Sequence, residues 1–184
     1  LEQLALVSSI GESYAPAIKY NQALLKYYKK SSNLLKVSSI YNDLGFLYKR
    51  RNDLPTALNY FSLSSELLKK KTLTVPETEK ITLLVNTGVA YTNQESFNRA
   101  RKYFQQAAQV APSNSIKQAE IHNYSGSNYY LSGNNYQALK QVEQAIAIAQ
   151  PRRAWDVLLT SYDLLSRIYA QERNNKKARE YNQK

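Results

Sequence analysis

The sequence predicts an all-α fold, a solenoid of antiparallel helix pairs that follow one another along the chain. Of its 184 residues only five are Gly and five are Pro, and this scarcity favours long helices over a turn-rich β fold. A small residue, a tyrosine and an alanine also recur in one fixed register. Self-similarity at a fixed period is typical of repeat architectures. Each helix is therefore assigned from its position in the repeat.

Three residue types mark each repeat. The small residue of the first helix is found at Gly45, Gly88, Gly126 and Ser166. A tyrosine follows three residues later, at Tyr48, Tyr91, Tyr129 and Tyr169. The alanine of the second helix is found at Ala57, Ala100, Ala138 and Ala178. All three series advance by 43, 38 and 40 residues, an agreement that unrelated positions would not keep by chance.

The marks have a physical reason in the packing of two helices. Glycine costs about 1 kcal/mol inside a helix, so its recurrence indicates that the partner helix approaches closely at this point. The tyrosine lies on the same face, because residues three apart in a helix are neighbours. In the second helix, Ala57, Phe61 and Ser64 form the stripe of an amphipathic helix.

Turn residues set the helix boundaries in order along the chain. Asn, Asp, Ser and Gly lie between the two helices of each unit, where they supply turns and N-caps. Pro76, Pro112 and Pro151 lie between units, where helices must end. The predicted helix pairs are 33–51 with 54–71, 77–93 with 96–111, 114–132 with 135–150, and 152–172 with 175–184.

Four units and a weaker one at the start account for the chain. In the first unit Ala5 and Ala17 take the places of the small residues, and Ser8 replaces the tyrosine. The predicted units are 1–31, 33–72, 77–112, 114–150 and 152–184, of which the first and last are partial. Since the chain begins with Leu1 and contains no Met, we expect it to be a segment of a longer protein.

The unit resembles the tetratricopeptide repeat. The family pattern is almost complete at Leu84, Gly88, Tyr91, Ala100, Phe104, Ala107 and Pro112. One departure is length, because the usual unit has about 34 residues and this one has about 40. Longer units of this kind resemble those of kinesin light chains and of bacterial signalling proteins, whereas HEAT and armadillo repeats lack the Gly, Tyr and Ala register.

The resemblance implies a right-handed superhelix whose first helices line a concave, peptide-binding groove. The residues in those places are Asn42, Asp43, Lys49, Arg50, Asn86, Asn93, Asn123, Tyr124, Tyr130, Asp163 and Arg167. An asparagine amide donates and accepts at once, so a row of them suits the backbone of an extended peptide. Tyrosine adds flat, amphipathic contact area. The alternative is that these residues form an ordinary solvated face.

The chain is strongly basic, with a formal net charge of +11, which attracts anionic partners. Most basic clusters fall at helix ends, where cations offset the helix dipole. Three clusters fall at turns within units and predict a basic rim that would suit an acidic protein or phosphates. No nucleic-acid-binding motif supports the second option, and the repeat register accounts for at least four of the 16 tyrosines.

No pattern in the sequence indicates catalysis, a metal or a cofactor. The chain has no Cys and a single His, His122, which occupies a packing place of the repeat. There is no Gly-rich phosphate loop and no serine nucleophile elbow, and a helix start explains the carboxylates of Glu77 and Glu79. No apolar run reaches the roughly 18 residues of a membrane span. The sequence does not fix the compartment.

We therefore predict a non-catalytic module that binds a protein or peptide, serving as the sensory or scaffold segment of a larger bacterial signalling protein. A histidine kinase or a transcription regulator would be such a parent. One alternative is a scaffold that forms a homo-oligomer through the ends of the array and takes no groove ligand. The other is a nucleic-acid-binding array that uses the basic rim.

Overall fold

The computed structural model describes residues 14–68 and 75–183, and within these ranges it contains helices and no strand. The helices are α1 (Tyr14–Lys30), α2 (Leu34–Arg50), α3 (Leu54–Leu68), α4 (Glu77–Asn93), α5 (Phe97–Val110), α6 (Ile116–Leu131), α7 (Asn135–Ala149), α8 (Trp155–Gln171) and α9 (Asn175–Asn182). Bounds were predicted for α2 to α9, and apart from the end of α3 they lie within three residues of the observed ones. The predicted marks Ala5 and Ser8, and residues 69–71 of the predicted second helix, lie outside the described residues.

The described residues divide into two compact bodies, an N-terminal body that ends at Asn93 and a C-terminal body that begins at Gln94. In the N-terminal body α2 packs against α1 and α3, α3 packs against α4, and α2 also touches α4. In the C-terminal body α6 packs against α5 and α7, α8 packs against α7 and α9, and α6 touches α8. Within each body, the first helices of successive repeats therefore lie next to each other. None of the described helices has the length and apolar character needed to cross a lipid bilayer.

The recurring small residue does mark the closest approach of the two helices in a repeat. A Cβ atom added at Gly45 would lie 2.5 Å from Cε1 of Phe61 on α3, a ring that is 1% exposed. At Gly126 the added atom would lie 3.0 Å from Cγ2 of Val142 on α7. Ser166 fills the same place in α8 and donates a hydrogen bond of 3.0 Å to the Ala178 carbonyl. The packing reason given for the glycines is confirmed at Gly45 and Gly126.

The turn inside a repeat has a recurring backbone conformation. Asn52, Gly133 and Arg173 occupy the same register place, with φ of 63°, 80° and 59°, in the left-handed region. The next residue then donates its amide to the carbonyl of the repeat tyrosine, as Asn174 does to Tyr169 over 2.8 Å. Its side chain caps the following helix, since Oδ1 of Asn174 accepts from the Lys177 amide at 3.2 Å. One short turn thus ends the first helix and starts the second.

Two repeats carry a tyrosine stack between their helices. Tyr48 of α2 and Tyr60 of α3 have ring centroids 5.5 Å apart, and Tyr169 of α8 stacks on Tyr181 of α9 at 5.7 Å. Both pairs pack against buried apolar clusters.

A further ring joins each stack, because Tyr41 lies 6.0 Å from Tyr60 and Tyr162 lies 6.0 Å from Tyr181. In the repeat of α6 and α7 the equivalents of Tyr41 and Tyr60 are His122 and Gln141, which hydrogen-bond at 2.9 Å. His122 therefore links the two helices of its repeat, as the packing interpretation expects.

Candidate functional site

Asparagines predicted to face a ligand instead connect first helices. Nδ2 of Asn86 on α4 donates to Oδ1 of Asn42 on α2 at 3.1 Å, and both side chains are half-buried. In the C-terminal body, Nδ2 of Asn123 on α6 donates to the Val157 carbonyl of α8 at 3.0 Å. Oδ1 of Asn123 also accepts from the Ser161 hydroxyl at 2.8 Å.

Asn123 is 4% exposed, so its amide is buried between α6 and α8. The expectation that Asn123 presents its side chain to a ligand is therefore corrected: its donor and acceptor are both used inside the fold. Asn42 occupies the same register place in α2 but stays partly accessible. Only one of these two equivalent asparagines is available to a ligand.

A polar cleft opens beside Asn42, between the first helices α2 and α4 of the N-terminal body. Its volume is about 200 Å³. The polar groups on its walls belong to Ser39, Asn42, Asp43, Thr78, Glu79 and Thr82. Two first helices thus contribute hydroxyls, an amide and two carboxylates to one opening. Among the described residues that line this polar cleft, none is basic, although the chain as a whole carries a charge of +11.

The floor of the polar cleft is buried and polar. It is formed by Ser38 of α2 and Ser64 of α3, each 1% exposed. Their hydroxyl oxygens lie 2.9 Å apart, and the Ser64 hydroxyl donates to the Ser38 carbonyl at 2.9 Å. The two floor hydroxyls therefore bond to groups of the floor itself.

The polar cleft is built to receive hydrogen-bond donors. Ionised carboxylates only accept, and hydroxyl and amide groups accept as well as donate. Backbone N–H groups, ammonium groups and guanidinium groups are therefore its chemical complements. In the described ranges, no three His, Cys, Asp or Glu side chains come together in the way a metal site would need.

Lys49 and Arg50, also predicted for the groove, have other contacts. The Lys49 ammonium lies 4.7 Å from the centroid of the Phe46 ring. Burial, together with the neighbouring Arg50 charge, lowers the pKa of Lys49 to about 8. Nε of Arg50 donates to the Tyr14 hydroxyl on α1 at 3.3 Å. Neither cation lines the polar cleft.

The remaining predicted residues lie apart from the polar cleft. Asn93 is exposed at the end of α4. In the C-terminal body, Tyr124 stacks on Phe104 with ring centroids 6.2 Å apart, and burial raises the pKa of its hydroxyl.

A second group of predicted residues meets on the surface of α6 and α8. The Arg167 guanidinium of α8 lies 5.1 Å from the Tyr130 ring of α6. It also forms an exposed ion pair of 3.8 Å with Asp163, one turn earlier on α8. The structure thus joins Tyr130, Asp163 and Arg167 into a separate surface cluster of the C-terminal body.

Several basic residues near the turns lie over repeat tyrosines. Arg51 lies 5.6 Å from the Tyr48 ring centroid, and Lys177 lies 4.8 Å from that of Tyr169. Arg101 of α5 lies 5.2 Å from the Tyr129 ring of α6. These contacts are cation–π interactions, which give part of the predicted basic rim a role in packing. Lys69, Lys70 and Lys71 lie outside the described residues.

The sequence interpretation missed the hydroxyls of the polar cleft. Ser39 and Thr82 occupy the same register place, six residues before Gly45 and Gly88. That shared place was a usable signal, since both lie on first helices. Glu79 was assigned to the helix start alone, yet its side chain also lines the opening.

Comparison with known proteins agrees with this architecture. The model of the tetratricopeptide repeat family matches residues 81–114. The solved structure of BtubC (BKLC) from P. vanneervenii is similar over 97% of this chain and 74% of that one, with TM-score 0.79 and 21% identity. A Podosopora anserina structure named for kinesin light chain TPR-like repeats is also similar, with TM-score 0.77 and 16% identity. The match covers 98% of this chain and 89% of that one. No curated protein matches the chain.

Proposed function

The chain is an array of tetratricopeptide-type helical repeats, and we propose that it is a non-catalytic module that binds an extended segment of another protein. Repeat arrays of this class suit such work, because stacked repeats create long surfaces for binding. The polar groups gathered on adjacent first helices of the N-terminal body support the proposal.

The polar cleft is the observation that carries the proposal. Its size, about 200 Å³, is below the roughly 300–1,000 Å³ of a pocket for a whole small ligand. It is better suited to a short stretch of a longer chain. Asp43 and Glu79 would accept from donors of the partner, and the Asn42 amide would donate to a backbone carbonyl.

The lining also favours one kind of partner. With two carboxylates and no basic residue among its described lining, the polar cleft suits a segment with free N–H groups or a basic side chain. An acidic partner would have to bind elsewhere, at the basic residues near the turns. Membership in a larger bacterial signalling protein remains a prediction drawn from the length of the repeat unit.

Selection from a random peptide library tests the proposal directly. Random peptides displayed on phage are selected against the immobilised 184-residue chain, and the enriched sequences are synthesised and titrated by fluorescence anisotropy. We expect enriched peptides to contain Lys or Arg. Asp43→Ala and Thr82→Val should each weaken binding by about tenfold, the effect of losing one hydrogen bond to a charged group.

The matched control is Asn93→Ala, which changes an exposed side chain at the end of α4, outside the polar cleft. It should leave peptide affinity unchanged. The proposal would be wrong if selection enriched no peptide, or if the enriched peptides bound both cleft variants as tightly as the parent chain.

A further inference from the structure

A second cavity lies in the N-terminal body, among α1, α2 and α3. Its volume is about 370 Å³, within the range of small-ligand pockets. It shares no lining residue with the polar cleft. Both sites are lined partly by α2 and α3, but the apolar cavity also uses α1, whereas the polar cleft uses α4. Whatever it binds lies beyond the function proposed above.

The walls of the apolar cavity are mainly hydrocarbon. Aliphatic side chains line it from two helices, Leu34 of α2 and Leu63 and Leu67 of α3. Tyr41 is 8% exposed, so its ring is a fixed part of the wall. Such a lining favours an apolar group of the ligand, because moving that group out of water is the main source of affinity.

One basic and one acidic side chain also line the apolar cavity. The Lys29 ammonium of α1 lies 5.4 Å from the Tyr41 ring centroid, over its face. Glu66 of α3 also lines the cavity. Within the described part of the chain, neither residue has an ion-pair partner. The two helices that carry them both flank α2, so one cation and one anion are presented to the same opening.

We propose that the apolar cavity binds a free α-amino acid with an aromatic or branched aliphatic side chain. The α-carboxylate bonds to the Lys29 ammonium, the α-ammonium bonds to the Glu66 carboxylate, and the side chain enters the aliphatic part. Residues inside a peptide have neither charge, and a peptide end or a fatty acid has only one. The combination of both charges with an apolar wall therefore selects the free amino acid.

Isothermal titration calorimetry of the full 184-residue chain tests this site directly. The ligands are L-phenylalanine and L-leucine, with N-acetyl-L-phenylalanine and L-phenylalaninamide as analogues that lack one charge each. A Kd of about 1 mM is expected for ligands this small. Each blocked analogue should bind about tenfold more weakly, because one charged hydrogen-bonding group is lost.

Variants assign each charge to its residue. Lys29→Met should remove the difference between phenylalanine and its amide, and Glu66→Gln should remove the difference between phenylalanine and its N-acetyl form. Both side chains are exposed, so neither change should disturb the fold. The matched control is Lys30→Met, which alters the next residue of α1 without touching the cavity lining.

Three results would overturn the proposal. The first is no heat of binding for phenylalanine or leucine. The second is affinity that Lys29→Met and Glu66→Gln leave unchanged. The third is equal binding of the N-acetyl analogue, which would identify carboxylates in general as the ligand. None of these results bears on peptide binding at Asp43 and Thr82, so the two proposals fail separately.

Discussion

Single polar side chains decide how adjacent repeats are joined. Asn42 and Asn123 occupy the same place, three residues before the repeat glycine, and the sequence predicted one role for both. The structure gives Asn123 a buried position against Ser161 and Val157, whereas Asn42 pairs with Asn86 at the edge of the polar cleft. The difference arises from the neighbouring first helix, which the local pattern around each asparagine does not contain.

We predict that Asn123→Ala lowers the free energy of unfolding by about 1–3 kcal/mol, because it removes two buried hydrogen bonds between α6 and α8. Equilibrium denaturation in urea measures this change. The matched variant Asn93→Ala removes an exposed amide and should change stability by less than about 0.5 kcal/mol. Equal losses for both variants would contradict the buried connection described for Asn123.

Lys49 gives the fold a dependence on pH. Its pKa is lowered from 10.5 to about 8 by burial and by Arg50. Between these values the unfolded chain holds more protons than the folded chain, so stability rises as the pH rises through this window. Below it, the buried ammonium destabilises the fold by a constant amount.

Replacement of Lys49 by Met removes that cost. We expect Lys49→Met to stabilise the chain at pH 7 by roughly 1–2 kcal/mol, a value reduced from the full pKa shift because the site retains some contact with water. The advantage should shrink towards pH 10. Urea denaturation at several pH values measures it, with the exposed Lys102→Met as control. A constant advantage at all pH values would argue against the shifted pKa.

At the scale of helices and turns, the sequence was a reliable guide. The helix bounds followed from caps, prolines and the spacing of apolar residues, all of which act within a few residues of the chain. The Gly45 and Phe61 contact was also within reach, since both residues belong to one repeat. The tyrosine stacks and the cation–π contacts were not, because they depend on side-chain directions after the helices have packed.

The left-handed turn residue provides a test at this scale. We predict that Arg173→Gly stabilises the chain by about 0.5–1 kcal/mol, since glycine adopts its φ of 59° without strain. Gly133→Ala should destabilise by a similar amount, because φ is 80° there and the space around it is open. Thermal and urea unfolding measure the change in stability that each variant causes. The two changes should have opposite signs, and changes of the same sign would contradict the shared turn conformation.

At the scale of the whole molecule, the periodic register predicted the fold class correctly. The matches to the tetratricopeptide repeat family and to TPR-like structures confirm it. Among the residues that line the polar cleft, the sequence singled out only Asn42 and Asp43 as candidate binding residues. Its hydroxyls and its Ser38 and Ser64 floor come from three helices at once. A combination of that kind becomes visible only when the helices are placed in space.

The alternative of a self-associating scaffold stays a prediction, and an exposed apolar pair on α8 offers a place to test it. Trp155 and Leu159 lie one turn apart on α8 and are 69% and 71% exposed. In the register places equivalent to Leu159, the residues Ser38, Ile81 and Ala119 are at most 3% exposed. Exposed apolar pairs of this kind favour contact with another surface.

If the chain associates through its ends, Leu159→Ser should lower its apparent mass at high concentration and leave the monomer equally stable. Light scattering coupled to size-exclusion chromatography measures the mass. The matched variant Tyr136→Ser alters a side chain that is 74% exposed on α7 and should have no effect. A monomer at all concentrations, with or without Leu159, would exclude this alternative.

The turn inside the repeat also bears on how such a chain can change over generations. Its left-handed residue, its bond to the repeat tyrosine and its helix cap all lie within a few residues of one another, as in the segment from Tyr169 to Lys177. A gene duplication or deletion of one full repeat period would therefore copy or remove the whole turn, with its hydrogen bond and its helix cap. Natural variants should differ by whole periods more often than by fragments, and length polymorphism of that form is readable from genomic sequence.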